Sequence, residues 1–213
     1  MPVFLCPRRV SAACVVTFAV IAASALASNA LGGDRAPSSR AQQHVVEQAT
    51  ADGVRAVFSY YVGANGGYSD LRVSIYRSGH LALTSLLPFR DYDPLGHVLF
   101  AKPEQSIRVA RLTPGGEPTV IVDLYTGGTH CCADSLLYVY TPNSRSYRRV
   151  NHLWGNAFYQ LRDLSGDGSL EFLSADADRF AYTFASFGSS FFPVQVWQLE
   201  GTALPTQPVH TGS

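Results

Sequence analysis

The segment Arg111-Leu112-Thr113-Pro114-Gly115-Gly116-Glu117-Pro118-Thr119-Val120-Ile121-Val122 returns 52 positions later, without a gap, as Asp163-Leu164-Ser165-Gly166-Asp167-Gly168-Ser169-Leu170-Glu171-Phe172-Leu173-Ser174. In each copy a glycine-rich turn runs into a β-branched or aromatic stretch. A second apolar run follows each at a comparable distance, Leu137-Tyr138-Val139-Tyr140 in one case and Val194-Gln195-Val196-Trp197 in the other. A period of about fifty residues with about four strands per unit is the scale of a propeller blade.

Outside this pair the chain keeps the same grammar. Short runs of β-branched and aromatic residues lie at 54–62, 71–76, 80–84, 107–112, 119–125, 136–141, 146–150, 172–175, 179–184 and 194–199, with Gly, Pro, Asn and Asp between them. Arg77-Ser78-Gly79 separates two of these runs as a hairpin turn does. Helical periodicity is missing beyond the first thirty residues, apart from a turn or two near Glu47. The fold class expected is all-β, with short antiparallel strands in blade-like repeats at about 105–155 and 157–204, and an N-terminal hairpin as a third, more diverged unit. Three units fall short of the about four that a closed propeller needs. An incomplete array, a sandwich with a duplicated core and closure by a partner all stay open.

The first residues set the compartment. Arg8 and Arg9 precede an apolar stretch from Val10 to about Ala27, which ends in Ala25-Leu26-Ala27. Charge, apolar run and small residues in that order read as a secretory signal peptide over 1–27. The competing reading is an uncleaved anchor, since the stretch approaches spanning length. Residues 28–43 are small and polar, a flexible linker. Residues 44–208 then have the length of one domain able to bury its own core, and 209–213 form a tail. Without Arg8 and Arg9 the mature chain keeps 14 basic side chains against 16 acidic ones. That balance gives no electrostatic case for nucleic acid. The location expected is secreted, or periplasmic within the cell envelope, with no membrane span after cleavage.

The 163–171 loop carries the most specific chemistry. Calcium takes six to eight oxygens at about 2.3–2.6 Å. Asp163, Ser165 and Asp167 alternate as donors, Gly168 lets the backbone turn back, the Ser169 carbonyl follows and Glu171 closes the set. A bidentate Glu of an EF-hand would stand at position 174, where the chain has Ser174. The alternative is a Gly-Asp turn held by Asx hydrogen bonds alone.

This loop and the strand after it resemble the calcium loops of FG-GAP and VCBS-type repeat proteins, the blades of integrin-like propellers. The earlier copy has Arg111, Thr113, Gly115 and Thr119 at the donor places, so the resemblance implies one structural calcium ion and no more. It also implies a role in binding or adhesion.

Cys131 and Cys132, after Gly127-Gly128-Thr129-His130, are the only cysteines beyond Cys6 and Cys14 of the leader. Neighbouring Cα atoms lie about 3.8 Å apart, below the about 4.4 Å of an ordinary disulfide, so a Cys131–Cys132 bond would be a strained ring able to form a flat contact surface. The other readings are two free thiols, or a soft-metal site of His130 with both thiolates. Phe180, Tyr182 and Phe184 alternate ahead of further aromatics. Such alternation builds cores or, exposed, a shelf that stacks on sugar rings, with Asp176 and Asp178 to bond hydroxyls.

Three functions compete. The first is an exported non-catalytic binding or adhesion module with a carbohydrate or protein ligand at the cell surface, contacted through His130, Asp123, Asp176, Asp178, Phe180 or Tyr182. The second is a secreted hydrolase of glycans or phosphoesters, drawing on Asp123, Asp176, Asp178 and His130. The third is a soft-metal or redox protein of the His-Cys-Cys loop. Neither a Gly-x-Ser-x-Gly elbow nor a His-Glu-x-x-His helix is present, and the first reading is preferred.

Overall fold

The computed structural model describes residues 42–87, 93–94, 105–128 and 131–207. The signal peptide at 1–27, nearly all of the 28–43 linker, His130 and the 209–213 tail lie outside the described residues.

Strands β1 (Gln43–Ala51), β2 (Val54–Val62), β3 (Tyr68–Arg77) and β4 (His80–Leu86) form an antiparallel meander. Two-residue turns join its outer pairs. Asp52-Gly53 and Ser78-Gly79 all have positive φ, between 47° and 82°. That is the turn whose twist matches a hairpin, and glycine is the residue that adopts it without a Cβ clash. The helical turn expected near Glu47 is thus corrected to strand. Nine residues of β1 pair in register with β2, and burial alternates along β1 with the period of two that a sheet imposes.

The second sheet is built on β7 (Thr119–Gly128). Both β5 (Asp93–Pro94) and β6 (Ile107–Ala110) pair with one edge of it, β5 near its far end, and β8 (Cys131–Thr141) and β9 (Ser146–Gly155) follow on the other side. The third sheet runs β10 (Gln160–Arg162), β11 (Glu171–Ala175), β12 (Val194–Trp197) and β13 (Thr206–Gln207). All pairings are antiparallel, and no described sheet closes on itself.

The three sheets stack, with the second in the middle. Val120, Val122, Leu124, Leu136 and Tyr138 on one of its faces pack with Val54, Phe58, Val73 and Ile75 of the first sheet. Ile121, Leu137 and Val139 on its other face pack with Phe172 of the third and with Leu199, which follows β12. Covered on both sides, β7 reads as a continuous apolar run, which is why 119–125 stands out so strongly. Each fully buried Phe or Leu contributes on the order of 1.5–3 kcal/mol.

The first hairpin of each sheet points to one end of this stack. Arg111, just after β6, forms an ion pair at 2.8 Å with Asp52 of the β1–β2 turn and also donates to the Gly116 carbonyl. The Leu170 N–H donates to the Leu112 carbonyl at 2.8 Å. Segments 111–122 and 163–174 are thus joined by one main-chain hydrogen bond.

One expected strand is absent. Over 179–184 the chain is the end of helix α1 (Ala177–Phe180) followed by turns, because the Asp176 side chain accepts from the Arg179 N–H as an N-cap. The chain then enters Tyr182 at φ 63°. Aromatic spacing of two was here a loop coincidence.

Candidate functional site

The 163–171 loop connects β10 to β11 and is clasped by its own backbone. Asp163 accepts from the N–H groups of Gly166 (2.7 Å) and Gly168 (3.0 Å), and Asp167 accepts from Ser169 N–H (2.7 Å). Glu171, only 5 % exposed, accepts from Leu164 N–H at 2.8 Å. The Ser169 N–H, then the Ser169 and Ser165 hydroxyls, hold the Asp167 carboxyl below its ordinary pKa. Gly168, at φ 86°, has no room to spare: a Cβ there would stand 3.3 Å from Pro114. As a test of fit to calcium, no group of three His, Cys, Asp or Glu side chains is gathered for a metal among the described residues. The carboxylates of this loop face N–H donors, and the loop in this form is an Asx-bonded turn.

Asp123 lies deep in the fold. It is 1 % exposed and accepts from Arg108, the Ser135 hydroxyl and the Tyr159 hydroxyl (3.0 Å). The Trp154 indole N–H donates to Ser135 Oγ at 2.8 Å, and Arg108 also donates to Tyr159 at 2.9 Å. Burial beside the Asp123 charge pushes the Tyr159 phenol well above its ordinary range, so it stays a donor. This constellation ties β6, β7, β8 and β9 to Tyr159 at the centre of the stack. The sequence signal was a single Asp inside an apolar strand, which in a both-faces-covered position has to find buried partners.

Cys132 is disulfide-bonded, and its N–H donates to the Thr126 hydroxyl at 2.6 Å. The side chains of Cys131 and His130 lie outside the described residues.

The other polar candidates are engaged at the root of one loop. Asp176 caps α1 and stands 3.7 Å from the Arg179 guanidinium, and Asp178 accepts from the Asn156 N–H at 2.9 Å. Beyond them the aromatics face outward. Tyr182 is 58 % exposed, Phe184 87 % and Phe191 94 %, while Phe180 is half-buried. Phe187 links Tyr182 and Phe192 through ring contacts at 5.9 and 5.2 Å.

Two titratable groups that sequence reading did not single out sit inside the stack. His152 lies between Trp154 and Trp197, with ring centroids 4.0 and 4.3 Å away, and burial lowers its pKa from 6.5 to about 4. Asp134 is 6 % exposed with Oδ1 lacking a hydrogen-bond partner, and burial raises it from 3.8 to about 6. Their linkages oppose each other. The His152 contribution is whole above about pH 6.5 and fades as pH falls towards 4, because the unfolded chain binds the proton more readily. The Asp134 contribution is whole below about pH 3.8 and fades as pH rises through 6. Asp134→Asn is therefore expected to raise the melting temperature above pH 7 by a few degrees, about 1–2 kcal/mol, with the gain shrinking towards pH 4. Melts across that range check it; a gain that grows in acid contradicts the assignment.

No known protein family matches the chain, and no solved structure does. Among curated proteins, the chain is 29 % identical over 156 residues to the uncharacterized protein y4bJ of Sinorhizobium fredii, covering 73 % of this chain and 23 % of that one. It is 32 % identical over 84 residues to the probable thylakoid lumen protein sll0997 of Synechocystis, covering 39 % of this chain and 24 % of that one. The chain thus spans about a quarter of the length of these relatives. No helix among the described residues is long and apolar enough to cross a membrane.

Proposed function

We propose that this chain is an exported, non-catalytic β-module that binds a partner through the aromatic loop between β11 and β12, and that its three sheets are diverged copies of one blade-like unit. The observation that carries the reading is the division of labour around that loop. Asp176 and Asp178 are engaged at its root, while Tyr182, Phe184 and Phe191 stand outside the core. Asp123, the hydrolase candidate of the middle sheet, is held inside by Arg108, Ser135 and Tyr159. Export is supported by the leader-like N-terminus and by the lumenal name of one relative. The test is retention on the isolated cell envelope of the source cells. The unmodified chain is expected to be retained and Phe184→Ser/Phe191→Ser to elute at least tenfold more readily. Hydrolysis of a glycan or phosphoester substrate that is lost in Asp178→Asn, with the melt unchanged, would overturn the non-catalytic reading.

Calcium is a second proposal, resting on donor spacing alone. Asp163, Ser165, Asp167, Ser169 and Glu171 would have to turn from their N–H and hydroxyl partners to the ion. A melting temperature raised by millimolar calcium and unmoved in Asp167→Ala supports it through linkage. Coincident curves leave the loop as a turn that sets strand register.

For the cysteines, we propose that the partner of Cys132 is Cys131. Cys6 and Cys14, the remaining choices, would leave with a cleaved leader. The intact mass of the exported chain is then expected to be two hydrogens below the fully reduced value, and trapping two free thiols would refute the pairing.

A further inference from the structure

We propose that the loop between α1 and β12 docks on the interface of a lipid bilayer, an inference that rests on the binding-module reading and names its partner. The segment Phe180-Ala181-Tyr182-Thr183-Phe184-Ala185-Ser186-Phe187-Gly188-Ser189-Ser190-Phe191-Phe192-Pro193 holds five phenylalanines and a tyrosine without one Asp, Glu, Lys, Arg or His. Nothing in it has to shed a charge's hydration on entering a medium of low dielectric constant.

Its Thr183, Ser186 and Ser190 hydroxyls are turned back onto the chain. Thr183 donates to the Arg179 carbonyl at 2.8 Å, Ser190 to the Ser186 carbonyl at 3.0 Å, and Ser186 to Ser189 Oγ at 3.2 Å. The Ser189 and Ser190 N–H groups close a 3-10 turn on Ser186 and Phe187, at 2.9 and 3.2 Å. Hydroxyls occupied in this way cost less to carry into the headgroup boundary, while the irregular backbone keeps the loop at the interface and out of the hydrocarbon core. Such hydroxyls are ill suited to a sugar, which needs donors and acceptors left open towards its hydroxyls. Charge is confined to the root of the loop. Arg179, whose side chain is 82 % exposed and 3.7 Å from Asp176, and the exposed Asp178 flank the uncharged segment where they can stay in water while the aromatics meet the interface.

The apolar surface is shaped for insertion by a few rings. Phe184 and Phe191 border a hollow of about 150 Å³ whose other walls are Phe180, Ala185, Ser189 and Ser190. The two outermost rings flank it. Because the attraction is apolar, binding to uncharged vesicles is expected, with little dependence on salt.

The experiment is flotation of the exported full chain with phosphatidylcholine vesicles at low and high salt. The chain is expected to float at both, and Phe184→Ser/Phe191→Ser to float at least tenfold less with an unchanged melt, since both rings stand outside the core. A Phe191→Trp variant is expected to float like the original and to shift its emission to the blue on binding. Failure of the unmodified chain to float overturns the lipid proposal, as does equal flotation of the serine variant. If vesicles fail while envelope retention still needs Phe184 and Phe191, the partner is a glycan or protein and the module reading survives. If retention is also indifferent to these residues, both readings fall.

Discussion

Asp123→Ala is expected to lower the melting temperature by about 10 °C, a loss of about 3–5 kcal/mol. The substitution leaves Arg108 without its carboxylate and leaves the Ser135 and Tyr159 hydroxyls facing a cavity. The Arg108 side chain is 28 % exposed and can turn part of its charge to water, which keeps the loss towards the lower end. Asp123→Asn keeps the shape and an acceptor oxygen for Tyr159 and Ser135, so it is expected to cost less, about 1–3 kcal/mol. The order of the two variants is the informative readout. A site that used Asp123 on an external ligand would leave the melt of Asp123→Ala near that of the original, and that outcome would remove the carboxylate from its structural role.

Trp154→Ala comes next, with an expected loss of about 3–5 kcal/mol. The indole is 6 % exposed, stacks at 5.4 Å on Phe172 and lies tilted against Tyr159 at 4.6 Å, joining the middle sheet to the third. It also supplies the N–H that satisfies Ser135 Oγ. Trp154→Phe keeps most of the packing and loses that donor, so it is expected to cost about 1–2 kcal/mol. Because Asp123 and Trp154 meet through one hydroxyl, their losses are expected to be non-additive by more than about 0.5 kcal/mol. Urea titrations of the four proteins of that cycle measure it, and strict additivity would show that Ser135 does not couple them.

Much of the frame was legible in the residues. The 119–125 run is a strand buried on both faces. The first strand was missed because β1 carries polar residues on its open face, which blunts the apolar signal. Asp52-Gly53 was the available clue, a hairpin turn between two runs with period-two patterning. The 179–184 strand failed for the opposite reason. Its aromatic alternation satisfied the period, but Asp176 three residues before Arg179 is an N-cap arrangement, and the local hydrogen bond prevailed over the pattern.

The candidate sites were legible as residue types more than as roles. Asp163, Asp167 and Glu171 were visible as a loop, yet whether a carboxylate faces a cation or a backbone N–H depends on backbone angles that spacing does not fix. Asp123 was visible as a carboxylate, while the partners that hold it inside come from 15 residues before it (Arg108) and from 12 and 36 residues after it (Ser135 and Tyr159). His152 and Asp134 acquire shifted pKa values only because the sheets stack over them, and no local motif announces that.

The most direct test of the binding-module account is covalent footprinting of the exported chain, free and bound to its source cell envelope. The account expects protection at Tyr182, Phe184 and Phe191, with the exposed face of the first sheet, marked by Val46, Leu81 and Leu86, labelled equally in both states. Protection on that sheet face with Phe184 and Phe191 unchanged would contradict it and move the contact surface to the other side of the stack.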